Sequence, residues 1–268
     1  MTLPPGWYPR DRGKIEEFLK PFVKNGVSSA AMAPHAGWYF SGFCAASAVS
    51  SLNPEAETVA VIGGHLPGGM PVLVADEDAV RTPLGTMMID EELREAFRQG
   101  LDTRPDRYQD NTVEVLLPMV HYFFPRSKLL WIRFPASLSS FEAGKFLAET
   151  SAAVGRRVVA LASTDLTHYG ENYGFKPHGR GKAALEWVKT VNDAAFIDAV
   201  LKGDPAIVLK RAGEDYSACS AGAVLGGLGF CAELGLSERR LIEYSTSADA
   251  DPAEIPDSFV GYAGISLG

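Results

Sequence analysis

Short apolar runs recur along the chain, each followed by a turn and then by a longer stretch with helical spacing. Ala30–Ala33, Val59–Ile62, Val72–Val74, Leu129–Ile132 and Val158–Ala162 are uninterrupted apolar runs that predict buried strands. Between them, helical spacing predicts helices over Lys14–Phe22, from Ser41 to Leu52, over Asp90–Gln99, over Asn111–Phe124 with an interruption or shift at Pro118, and over Ser140–Ala153. Arg81–Gly85 reads as a turn and the polar stretch Gly100–Asp110 as a loop. Further helices are expected over Lys182–Leu201 and Asp204–Ala212, and a small-residue helix from near Cys219 to Leu234. Two late strands follow, Leu241–Ser245 and Ser258–Leu267. Alternation of strand and helix throughout predicts an α/β fold with helices on both sheet faces. The two late strands lack a long helix between them, which makes the sheet mixed. No linker or repeat divides residues 1–268, so one domain is expected.

Composition narrows the function classes. The chain has 268 residues, 46% of them hydrophobic and 22% charged, with a formal net charge of −8. Its Arg156-Arg157 and Arg239-Arg240 pairs are isolated, and no basic block marks a nucleic-acid partner or an anionic membrane surface. The cysteine count of three is odd and no C-x-x-C occurs, which argues against a disulfide framework or zinc ribbon and for a reducing cytoplasm. Met1–Gly6 lacks the basic-then-apolar order of a signal peptide. The uncharged stretch from Asn25 to Pro54 is broken by Pro34, His35 and many serines and is expected to be buried core rather than a membrane span.

Three of the five histidines, His35, His65 and His168, follow apolar strands within a few residues. In α/β proteins that is where ligands bind, and imidazole is both a metal ligand and an acid or base suited to neutral pH. Asp165 stands three residues before His168. It either caps a helix beginning there or orients a histidine and accepts a proton. Cys219 precedes a helix, a position that lowers thiol pKa, and reads as thiolate ligand, as nucleophile or as small-residue packing. Cys44 and Cys231 read as core, His121 as packed or partly exposed in its helix, and His178 as a loop residue. Glu114 lies among Val113, Val115, Leu116 and Leu117 and needs a partner if buried. Gly264–Gly268 fits G-x-S-x-G without the helix that motif requires, and Gly63-Gly64 lacks the Lys-Ser/Thr of a P-loop.

The segments Ala33-Pro34-His35-Ala36-Gly37-Trp38, Ser41-Gly42, Arg81-Thr82-Pro83-Leu84, Glu114 with Leu117-Pro118, Ser163 to Gly170, Cys219 and the ending Asp257 to Gly264 together resemble the Memo family, whose bacterial and archaeal members are called AmmeMemoRadiSam system protein B. That family is similar in fold to the class III (LigB-like) extradiol dioxygenases, non-haem iron enzymes that open catechol rings. The resemblance implies a metal site from His35, His65 and Cys219, with His168 as acid/base and Asp165 beside it. Three departures stand out. Gly63-Gly64-His65 is a residue shorter than the family's glycine-proline-asparagine/serine-histidine. Asn111 stands where a histidine is common. Cys219 takes the place of the dioxygenases' carboxylate ligand.

Two histidines and a carboxylate suit Fe(II), whereas a thiolate shifts preference toward zinc, copper(I) or a differently tuned iron. The expectation is a dioxygenase-like redox enzyme using a divalent metal, Fe(II) first, on a small substrate, aromatic or otherwise. The alternative is a non-catalytic peptide- or metal-binding protein working with radical-SAM and AMMECR1-like partners. A hydrolase with Cys219 as nucleophile and His168 as base is a third reading.

Overall fold

The computed structural model describes residues 2–108, 110–251, 253 and 255–268; Met1 of the N-terminal segment and Gln109 of the expected 100–110 loop lie outside it. In chain order the elements are α1 (Arg12–Leu19), β1 (Ala30–Ala33), α2 (Trp38–Ser50), β2 (Thr58–Leu66), β3 (Val72–Val74), β4 (Ala79–Thr82), β5 (Gly85–Met88), α3 (Glu91–Gln99) and β6 (Thr103–Pro105). Then come α4 (Asn111–Glu114), α5 (Leu117–Phe123), β7 (Lys128–Pro135), α6 (Ser139–Ala153), β8 (Val158–Ser163), β9 (His168–Gly170) and α7 (Lys182–Trp187). A π-turn over Val188–Asn192 joins α7 to α8 (Asp193–Lys202), and α9 (Pro205–Glu214), α10 (Ala221–Glu233), β10 (Arg239–Thr246) and β11 (Ser258–Leu267) complete the chain.

One mixed sheet organises the molecule, in the order β10-β11-β1-β8-β2-β7-β3-β6, with β9 paired to β11. Its centre is parallel, β1 with β8, β8 with β2 and β2 with β7, while β11 runs antiparallel to β1, β10 and β9. The central strands are apolar throughout because both faces are covered. Ala30, Met32, Ala60, Ile62, Ala160 and Ala162 point into one core with α3, α6, α8, α9 and α10. Their neighbours Ala31, Ala33, Val59, Val61, Val159 and Leu161 point into the other with α1, α2, α4 and α5. The mixed α/β architecture expected from the strand–helix alternation is therefore present.

Local departures have local causes. Arg81 to Gly85 belongs to the β4–β5 hairpin and not to an isolated turn. Thr103–Pro105, expected as loop, adds a short parallel edge strand to β3. The helix expected over Asn111–Phe124 breaks at Val115-Leu116, so that Pro118 falls in the first turn of α5, where its missing N–H costs nothing. No helix follows Asp165; residues 168–170 pair with β11 instead. The uncharged 25–54 stretch is core on one side only, for Tyr39, Phe40 and Phe43 of α2 are exposed.

Helix α10, which carries Cys219 just ahead of its start, is buried from Ala221 through Cys231. Its glycines let it lie directly on its neighbours. A Cβ on Gly222 would come within 2.1 Å of the Pro135 carbonyl oxygen, and one on Gly229 within 1.9 Å of that of Phe141. Across the α6–α10 crossing, a Cβ on Gly144 would meet the Gly226 carbonyl oxygen at 2.0 Å. We expect Gly144→Val to lower the urea midpoint at constant slope, a loss of about 1–3 kcal/mol or more that outweighs the better helix propensity of valine.

Candidate functional site

The carboxyl ends of β1, β8 and β2 lie side by side, and the candidate residues follow directly from them. Ala33 pairs with Ser163 in the β1–β8 register, and Thr164 N donates to the Ala33 carbonyl at 2.9 Å. That alignment brings the chain after β1 against the chain after β8. His35 N then donates to Asp165 Oδ1 at 2.7 Å, and its ring Nδ1 meets Ser163 Oγ at 2.8 Å. With Nδ1 engaged by a hydroxyl, Nε2 is left facing the Cys219 sulfur at 3.3 Å.

Cys219 is delivered by a two-stranded clasp. Its N–H donates to the Asp165 carbonyl at 3.2 Å, and Ser220 N donates to Thr164 Oγ1 at 3.1 Å. The third member, His65, sits where β2 departs from β7's register. Its φ of +57°, in the left-handed region, is unusual for a residue with a side chain. Gly63 and Gly64 permit the bend: a Cβ on Gly63 would strike Thr112 Oγ1 at 2.3 Å, and one on Gly64 the Ser220 side chain at 2.4 Å. His65 Nδ1 meets Asp110 Oδ2 at 3.1 Å, and its ring stands edge-on to that of His35, centroids 4.9 Å apart. Ligand atoms of His35, His65 and Cys219 all lie within 4.8 Å of one another, a grouping suited to hold a metal ion.

Charge in the cluster is set by mutual attraction against burial. Burial, the largest influence on Cys219, raises its thiol pKa, but the His35 and His65 imidazoles outweigh it and hold the thiol well below its usual range. Burial likewise opposes the charged imidazoles. Asp165 and Cys219 raise His35 in spite of it, and Asp110 and Cys219 bring His65 up to about 10. Asp165 is pushed upward by burial, with the His35 charge opposing.

Asp165 and His168 both line a cavity of about 420 Å³ beside the cluster, together with Trp7, Asn111, Tyr173 and Tyr262. His168 is half-buried; its Nδ1 meets the Leu166 carbonyl at 3.0 Å, and its ring stands edge-on to Tyr173. The imidazole against the Cys219 sulfur is that of His35, so a thiol–base pairing of Cys219 with His168 is not what the fold builds. Asp165 caps no helix. His121 bonds Thr82 Oγ1 at 2.7 Å and His178 packs on Trp187, both outside the cluster. Cys44 and Cys231 are buried in their helices, as expected.

Several supporting residues carry little local signal. Asp110 caps α4, and its carboxylate lies 3.2 Å from Arg133, whose Nε donates to the Gly64 carbonyl at 3.0 Å. Arg133 also pairs with Asp106 at 3.3 Å. A buried arginine closing an apolar strand was the available clue. Asn111 Nδ2 donates to the His35 carbonyl at 3.1 Å. Glu114 serves the N-terminal segment: it accepts from Thr2 N at 2.6 Å, Leu3 N at 2.8 Å and Tyr8 OH at 3.0 Å. That anchor holds Trp7 at the cavity wall, where the Trp7 carbonyl accepts from Trp38 N at 2.8 Å.

Comparison with known proteins follows the same lines. The family model described as Memo-like protein matches residues 2–266. A MEMO1 family protein of Pyrococcus abyssi is 31% identical over 272 residues, covering 94% of this chain and 92% of its own. One from Methanosarcina acetivorans is 33% identical over 243 residues, covering 88% and 84%. The crystal structure of the uncharacterized protein JW3007 from Escherichia coli K12 superposes with a TM-score of 0.53 at 12% identity, over 90% of this chain and all of that one, which shows a shared fold.

Two outcomes follow from this geometry. Without added metal, iodoacetamide should label Cys219 at a rate that barely falls from pH 8.5 to 6.5. An ordinary thiol slows about tenfold per unit below its pKa, whereas a depressed pKa leaves the thiolate fraction near one. Cys44 and Cys231, pushed up to about 12 by burial, should stay unlabelled in peptide mass spectra. Glu114→Ala should lower stability by about 1–3 kcal/mol and speed amide exchange at Leu3, whose N–H loses its acceptor.

Proposed function

The chain belongs to the Memo-like family, and on that footing we propose that it is a dioxygenase-like non-haem metalloprotein, a redox enzyme acting on a small substrate, aromatic or of similar size. The observation that carries the reading is the convergence of two imidazoles and one thiol on a common point beside a cavity of ligand size. Metal–nitrogen and metal–sulfur bonds of about 2.0–2.3 Å put neighbouring ligand atoms roughly 3.5 Å apart. The 3.3 Å between His35 Nε2 and Cys219 Sγ matches that spacing. With a thiolate in place of a carboxylate, the donor set suits a differently tuned iron, zinc or copper(I), of which the fold kinship puts Fe(II) first. His35, His65 and Cys219 would hold Fe(II), which would supply redox chemistry toward oxygen and a small substrate.

The protein's own groups do the rest. Ser163 and Asp110 fix the two imidazoles through their Nδ1 atoms, so that both rings are oriented before any ligand arrives. His168 has Nδ1 committed to the Leu166 carbonyl, which leaves Nε2 to take or return a substrate proton at the cavity wall. Asp165 shares the cavity wall with His168 and would steady a proton moved there. The aromatic rings of Trp7, Tyr173 and Tyr262 on the cavity wall favour a flat apolar body. A cytoplasmic location fits the three free thiols. Among the described residues no helix is long and apolar enough to cross a membrane.

Anaerobic Fe(II) titration should give one ion per chain. His35→Ala, His65→Ala and Cys219→Ala should each weaken binding by about tenfold or more. His168→Gln should keep the iron while oxygen uptake with a catechol probe falls by about 10²–10⁴-fold. Iron binding indifferent to all three ligand substitutions would sink the metal site. Intact iron binding without oxygen uptake on any catechol or related small aromatic assigns the chain to the alternative, a non-catalytic peptide- or metal-binding protein with radical-SAM and AMMECR1-like partners.

A further inference from the structure

At the opposite end of the parallel strands from the His/His/Cys cluster lies a second cavity, of about 710 Å³. Strands β8, β2 and β7 are neighbours in the sheet, and their starts stand side by side there. Arg156 and Arg157 come from the entry to β8, Glu55 and Glu57 from the entry to β2, and Arg126 and Lys128 from the entry to β7; Lys24 reaches in after α1. Sheet pairing thus gathers onto one rim cations that the sequence scatters over more than a hundred positions, in a chain whose net charge is −8.

The ion pairs do not neutralise this rim. Arg157 pairs with Glu57 at 3.4 Å, and Arg156 is held by Asp90 at 3.0 Å and Glu92 at 2.8 Å. Among the described residues Lys24 has no carboxylate partner: its ammonium donates to the Tyr122 carbonyl and sits 4.2 Å over the Tyr122 ring. Among the described residues neither Arg126 nor Lys128 pairs with any carboxylate, and both are exposed. With Asp90 and Glu92 both on Arg156, the five cations of the rim face Glu55, Glu57, Asp90 and Glu92, an excess of one positive charge borne by the exposed Lys24, Arg126 and Lys128 side.

We propose that this rim is a second ligand site, for a small polyanion bearing phosphate groups. The free guanidinium of Arg126 offers a forked donor that matches phosphate oxygens, and the ammonium groups of Lys24 and Lys128 add point charges. The cavity volume is that of a small-molecule site, and Pro54 and Pro125 give it apolar edges. The site is separate from the metal cluster, for the nine residues of β2 span about 3.3 Å each between the two ends.

Isothermal titration of the full-length chain with pyrophosphate and with ATP, without added divalent metal, tests the assignment. One-site binding that weakens as salt rises is expected. The Arg126→Glu/Lys128→Glu pair should reduce affinity by about tenfold or more, an effect of about 1.4 kcal/mol. Lys202→Glu/Lys210→Glu, which changes net charge equally on α8 and α9, should leave it intact. ATP binding tighter than pyrophosphate identifies an organic body beyond the phosphates; equal binding identifies phosphate alone as the recognised group. Absence of heat with both probes, or equal weakening by the control pair, overturns the proposal. So does a single-stranded DNA that displaces both probes at lower concentration, which would make the rim a nucleic-acid surface.

Discussion

The in-register pairing of β1 with β8 is the constraint on which the rest depends. Ala33 opposite Ser163 sets His35 against Ser163 and Asp165, and the backbone of Asp165 in turn receives Cys219. Slipping one strand by a single residue would turn every side chain to the other face. His35 would lose both its orienting hydroxyl and its contact with a sulfur 184 positions away. Both strands are buried on both faces, so such a slip would also exchange the contents of two cores, and the register is strongly specified.

The buried carboxylates around the cluster come as paired sets. Asp110 stands between His65 and Arg133, and Arg133 continues to Asp106 and the Gly64 carbonyl. On the far side of His168, buried Asp193 accepts from Thr167 N, Thr167 Oγ1 and Tyr244 OH. Burial alone would neutralise it, and these donors work against that, leaving its pKa at about 6. Each carboxylate therefore fixes a backbone segment that carries a site residue. The π-turn ahead of α8 places Asn192 and Asp193 for this task, with Asn192 Nδ2 donating to Thr167 Oγ1 at 2.9 Å. The outcome is rigidity where a shared ligand needs it.

The two ends of the parallel strands have opposite characters for one structural reason. Loops after the strands hold the histidines and the thiol, where the strand and helix ends leave a crevice. Loops before the strands carry arginines and lysines, which remain on the rim because charged heads stay in water while their stems cover apolar surface. The rim at that end therefore carries five cations against four carboxylates, in a chain that is acidic as a whole.

Much of the architecture was legible in the sequence. Uninterrupted apolar runs have to be covered on both faces, and that requirement alone yields a layered α/β fold. Histidines just past such runs fall in the crevice by geometry, which is why His35 and His65 could be named. Non-local contacts defeated the local reading elsewhere. Asp165-x-x-His168 has the spacing of a helix cap, yet Leu166 N bonds the Gly261 carbonyl at 2.9 Å and residues 168–170 join β11 as a strand, a pairing across some ninety positions that no window could reveal. Glu114 announced only that it needed a partner; that Thr2, Leu3 and Tyr8 supply it was decided by where the N-terminal segment docks. Patterning along the chain determined which segments are strands and which residue types could do chemistry, because burial imposes its period locally. Register, the left-handed turn at His65, and the meeting of Cys219 with two imidazoles belong to the tertiary structure, because each is fixed by groups far apart in sequence competing for the same few ångströms.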